Sequence, residues 1–175
     1  MVISIVLAVI SGVLAGQFHH GLGIAPMLAG VLCAASFLRR RDALIAALGA
    51  VVVRDLFVGL SLFTLVRLLA VLSVMGIIWA VRVRPALKPL LVALILASPT
   101  YHLMLAVGDW GLQFCSTEPR TPLGLFTTIR TGWPYFQHAF LGELLFTSAF
   151  VVAYAAGGSL VRLRWPAAIP QAVRG

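Results

Sequence analysis

Apolar residues in this chain come in long unbroken runs rather than in alternation, and short polar or basic stretches separate the runs. The runs cover residues 1–17, 27–38, 43–62, 64–81, 89–107 and 135–160. A helix rises ~1.5 Å per residue and a bilayer core is ~30 Å thick, so most of these runs have the length of membrane spans. They do not read as the ~10-residue alternating strands of a barrel. The pattern therefore predicts an all-α integral membrane protein, a six-transmembrane-helix bundle. Residues 1–164 form its single transmembrane domain and 165–175 a short cytoplasmic tail. Pro26 suits the first turn of the second span, and Pro99 predicts a kink within the fifth. Residues 108–134, with three prolines and four glycines, read as the longest non-spanning segment. Within that segment, 123–129 has the look of a short interfacial helix.

Composition agrees with lipid as the main solvent: of 175 residues, 61% are hydrophobic and 10% charged. The formal charge of +8 would point to nucleic acid in a soluble domain. Here the basic residues cluster in short loops, and no basic stretch is interleaved with exposed aromatics, so nucleic acid is not an expected partner. Cys33 and Cys115 show no paired spacing, so neither a disulfide nor a metal site is expected, and no cofactor is. The first run has no Lys or Arg before it, which favours a retained helix over a cleaved signal.

Basic residues also orient the bundle. Arg39, Arg40, Arg41, Arg82, Arg84, Lys88, Arg162, Arg164 and Arg174 fall at one side when spans two, four and six end in the cytoplasm. Both termini are then cytoplasmic. With that orientation, Arg54 and Asp55 in span three, Arg67 in span four, His102 in span five, and His138 and Glu143 in span six all lie in the outward half. The inward half is almost purely apolar. Charges at such depth cost several kcal/mol unless they are paired or wetted, so the asymmetry predicts a polar cavity open to the outside.

Two readings of these residues stand side by side. As structural bridges, Arg54 would pair with Glu143 and Asp55 with Arg67, or Arg67 would snorkel to the outer headgroups. As a binding site, Arg54 and Arg67 would engage an anionic part of a small-molecule substrate. Asp55, Glu143, His102 and His138 would orient them or contact the substrate, and Tyr101, Trp110 and Trp133 would stack on it or cover it. Ala8, Gly12 and Gly16 form a small-residue stripe on the first helix, where another helix can approach closely.

The block from Ile24-Ala25-Pro26 through Val53-Arg54-Asp55-Leu56-Phe57-Val58-Gly59 resembles an uncharacterised family of small bacterial membrane proteins described as candidate S components of energy-coupling factor (ECF) transporters. Trp133-Pro134-Tyr135-Phe136-Gln137-His138-Ala139-Phe140-Leu141-Gly142-Glu143 resembles that family's aromatic-rich approach to its last helix, with Glu143 where an Asp is usual. The resemblance implies a substrate-binding subunit of the bacterial inner membrane that captures a vitamin or other micronutrient. It also implies docking, through small residues such as Ala8, Gly12 and Gly16, on a transmembrane coupling protein and cytoplasmic ATPases. The chain has no nucleotide-binding loop of its own, and no enzyme activity is expected. A structural or assembly subunit of a larger membrane complex is the alternative. A haem-, quinone- or enzyme-type site using His102 and His138 is a third possibility, which no Ser/His or metal-ligand motif supports.

Overall fold

The computed structural model describes residues 27–81, 83 and 86–164, with side chains to 153, together with positions 10 and 13. Five helices make up the described residues: α1 (Met27–Phe37), α2 (Arg40–Val58), α3 (Phe63–Val81), α4 (Leu87–Leu112) and α5 (Pro122–Arg164). Three stretches are long and apolar enough to cross a membrane, Phe63–Val81, Leu87–Leu112 and Pro122–Ala153. The chain is thus an all-helical, multi-pass membrane protein, but the expected count of six spans is not reached among the described residues. The run at 1–17, with its Ala8, Gly12 and Gly16 stripe, and the tail at 165–175 lie outside those described. α1 has 11 residues, about 16 Å of helix, which is short of the bilayer core. α2 has the length, at 19 residues, but Arg40, Arg41, Asp42, Arg54 and Asp55 dilute its hydropathy.

The shortest helix is the hub. α1 packs against all four others, and Leu28, Ala29, Leu32 and Cys33 are at most 1% exposed. Small residues make this possible: Ala29, Cys33, Ala34 and Ala35 on α1 meet a neighbour, α2, that carries buried Ala43, Ala46, Ala47 and Ala50. Close backbone approach gains dispersion contacts where lipid provides no hydrophobic drive. The outer surface is the reverse of a soluble protein's, with Leu56, Leu60, Leu69, Val92, Leu141 and Leu145 exposed.

Two aromatic contacts fix the ends of the bundle. Trp79 Nε1 donates to the Ala35 carbonyl at 3.1 Å, and the Arg40 guanidinium lies 5.6 Å above the Trp79 ring. The triple-arginine turn and the end of α3 therefore share one end. At the other, Phe63 stacks on Phe114 with centroids 5.2 Å apart and planes 6° from parallel, which joins the α2–α3 turn to the α4–α5 loop.

That loop is much shorter than the expected 108–134 segment. α4 continues through Leu112, and α5 starts at Pro122, so only residues 113–121 are non-helical. The expected interfacial helix at 123–129 and the last span are one 43-residue helix running through Pro134. At ~1.5 Å per residue it is about 64 Å long, twice the bilayer core, so one proline's lost hydrogen bond is outweighed by the continuity of the rest. Thr121 begins it as an N-cap, accepting from the Gly124 N–H at 3.2 Å, with Pro122 next in the first helical position. Pro99 likewise lies inside the continuous α4.

Candidate functional site

α2 ends at Gly59, whose φ of +118° a side chain would strain. Its N–H closes on the Asp55 carbonyl at 2.8 Å. A Cβ at Gly59 would meet nothing, so the backbone turn is what requires glycine. The turn brings the start of α3 back beside the last turns of α2. Arg67 therefore reaches Asp55, with Nη1 donating to Oδ1 at 2.6 Å and to Oδ2 at 2.7 Å. Arg54 Nη1 donates to the same Oδ1 at 2.7 Å. The three side chains are buried: Arg54 is 7% exposed, Arg67 8% and Asp55 0%.

Of the two expected bridges, Asp55–Arg67 forms, whereas Arg54 turns to Asp55 instead of Glu143. Asp55 serves both arginines, and Glu143 bonds His102, whose Nε2 lies 3.0 Å from Oε1. Nor does Arg67 snorkel outward, because its head is drawn inward to Asp55 and lies over the Phe63 ring, 4.8 Å from the centroid. Asp55 takes Nη1 of Arg54 and of Arg67, and each guanidinium carries five N–H donors.

Beside this triad is a cavity of about 710 Å³, within the size range of small-molecule sites. Arg54 and Arg67 form one wall with Phe63. Pro99, His102, Leu103, Ala106 and Asp109 of α4 form a second, and Thr128, Gly132, Trp133, Tyr135 and Phe136 of α5 a third. Phe114 and Cys115 of the loop reach over it. Local bonds shape that loop: the Cys115 N–H donates to Asp109 Oδ1 at 2.7 Å, and Trp110 Nε1 to the Pro119 carbonyl at 3.0 Å. Ser116 Oγ and Thr128 Oγ1 lie 2.9 Å apart and tie it to α5. A side chain at Gly108 would collide with Val66, so glycine lets α4 approach α3 at the cavity's edge.

Of the candidate residues, the structure brings Arg54, Arg67, His102 and Trp133 to the cavity wall. Asp55 and Glu143 stand behind it, holding the arginines and His102. Tyr101 is buried and edge-on to His102, with centroids 5.3 Å apart, but it does not reach the wall. Trp110 is committed to Pro119 in the loop, and His138 is exposed on α5. Neither lines the cavity. Phe63, Phe114, Tyr135, Phe136 and Asp109 line it without having been singled out in the sequence. Phe136 is a centre of the aromatic wall, with its ring 5.3 Å from His102 and 5.2 Å from Trp133. Among the described residues, no three His, Cys, Asp or Glu side chains converge as metal ligands.

Fold and site together define a helical multi-pass membrane protein with a cationic, aromatic-walled cavity toward one end of its bundle. Residues 1–166 match a family of unknown function, DUF6580, and the chain belongs to that family. Its description names no transporter. No curated protein and no solved structure matches the chain.

Proposed function

We propose that this protein is a solute-binding membrane subunit, of the S-component kind, that serves uptake of a vitamin or other small micronutrient carrying an anionic group. The observation that carries the reading is the cavity of about 710 Å³ with Arg54 and Arg67 in its wall, held from behind by fully buried Asp55. A ligand carboxylate would meet guanidinium donors pre-oriented by Asp55. The flat body of the ligand would lie among Phe63, Trp133 and Phe136, with Phe114 and Cys115 above. Its sixth span would be the run at 1–17. The basic turns would face the cytoplasm of a bacterial inner membrane and the cavity the outside. The chain would have no enzymatic activity. Transport energy would come from a coupling protein and ATPases docked on Ala8, Gly12 and Gly16.

The test is mass spectrometry of small molecules that co-purify with the protein, followed by titration of the one found. Arg54→Ala and Arg67→Ala should each weaken its binding about 10- to 100-fold, the worth of a hydrogen bond to a charged group. Unchanged binding by both variants would overturn the assignment. The buried Arg–Asp pairs also suit a purely structural role in a larger complex. For that reading, mild-detergent purification should return a fixed-ratio partner other than a coupling protein and ATPases, and no solute.

A further inference from the structure

One turn beyond the His102–Glu143 bond, away from the loop, α4 and α5 meet over polar atoms that the cavity does not include. Glu143 is 2% exposed and its Oε2 has no hydrogen-bond partner among the described residues. Ser98 precedes His102 by four residues on α4, and Thr147 follows Glu143 by four on α5. Joined by a nine-residue loop, the two helices run antiparallel, so the four-residue step places Ser98 and Thr147 on the facing stripes, ~6 Å farther along. Both are 0% exposed, and both hydroxyls lack a partner among the described residues.

Unbonded hydroxyls are not the habit of these helices. Thr100, Thr127, Thr128, Thr131 and Ser148 each donate to the carbonyl one turn back, at 2.8–3.0 Å. Ser98 and Thr147 forgo that bond where helical spacing puts each one turn from the His102–Glu143 pair; among the described residues Ser36 Oγ on α1 is the other buried hydroxyl without a partner. Pro99 adds to the same turn, because it has no N–H to give the Ile95 carbonyl. The result is a set of oxygen atoms with lone pairs to share and no N–H donor to satisfy them. Such hard ligands suit an alkali or alkaline-earth ion rather than a soft metal. A single carboxylate balances one positive charge; a divalent ion would leave a second charge buried and uncompensated.

We propose that Glu143 Oε2, Ser98 Oγ and Thr147 Oγ1 hold a monovalent alkali cation between α4 and α5. Because His102 both lines the cavity and holds the other oxygen of Glu143, the cation site and the cavity share a side chain pair. The cation site does not depend on what fills the cavity.

The test is thermal unfolding of the full-length protein in detergent at fixed ionic strength, with choline chloride replaced by NaCl or KCl. One of the alkali salts should raise Tm saturably, by roughly 5 °C. Ser98→Ala or Thr147→Val should weaken that response about 10-fold or more, Thr147→Ser should keep it, and Glu143→Gln should abolish it. A wild-type Tm that is equal in all three salts overturns the proposal. So does an alkali response that survives the Ser98→Ala/Thr147→Val double substitution. If Glu143→Gln fails to fold, the hydroxyl variants still decide: without a bound cation they merely delete orphaned hydroxyls, and their Tm stays equal or rises in every salt.

Discussion

Asp55 and Glu143 are carboxylates buried at the cavity end of one bundle, and they are treated in opposite ways. Asp55 receives three hydrogen bonds from two guanidiniums; Glu143 receives one from an imidazole and keeps an oxygen unpartnered. The first is saturated by charge and cross-links α2 to α3, neighbours joined by a tight turn. The second sits on a 43-residue helix and reaches across to α4. Burial of a carboxylate costs several kcal/mol in either case. Where that cost is met by neighbours the residue serves the fold, and where it is left half met the residue is open to something that is not part of the chain.

Breaking Asp55 should have the largest effect. Asp55→Ala strips both arginines of a common anion within a membrane protein and should cost about 3–5 kcal/mol, read as loss of folded protein or a steep drop in Tm. Glu143→Gln keeps the shape and one acceptor for His102, and should cost about 1–2 kcal/mol in choline buffer. Equal losses from the two changes would mean that the two carboxylates are equivalent in the fold.

How much of this was readable beforehand depended on chemistry. Arg54, Asp55, Arg67, His102 and Glu143 stood out because charge is costly in lipid, and all five gather at the cavity. The Asp55–Arg67 pair was readable as a bridge, but not that Arg54 joins it or that Glu143 turns to His102. Arg54 and Asp55 are neighbours ~100° apart around a helix, so one would not expect them to bond, yet the long arginine side chain folds back to Oδ1. His138 was a false lead for a related reason. It is five residues from Glu143, about 140° around α5, and so faces outward. Phe63, Phe114 and Phe136 were invisible because apolar residues lining a cavity look the same in sequence as those facing lipid. α1 as the hub was hidden too, since a helix apolar on every side carries no stripe to show which neighbours it meets. Proline misled at residue 134, where Gly132-Trp133-Pro134 reads as a break and the helix runs on.

Smallest is an effect that isolates how the Asp55 side is built. Gly59 and Gly76 both have open space where a Cβ would go, so neither substitution to alanine meets a neighbour. Only the backbone differs: Gly59 has φ +118°, while Gly76 lies inside helical α3. Gly59→Ala should therefore cost about 1–2 kcal/mol. Gly76→Ala should gain about 0.5–1 kcal/mol by stiffening the unfolded chain and favouring helix. Thermal unfolding of the two variants beside the parent gives the sign of each. Were Gly59→Ala neutral, the turn would not be what sets α2 against α3, and the three bonds to Asp55 would themselves have to position the helices. In that case Asp55→Ala and Gly59→Ala should be strongly non-additive, with the double variant clearly worse than Asp55→Ala alone although Gly59→Ala by itself costs nothing.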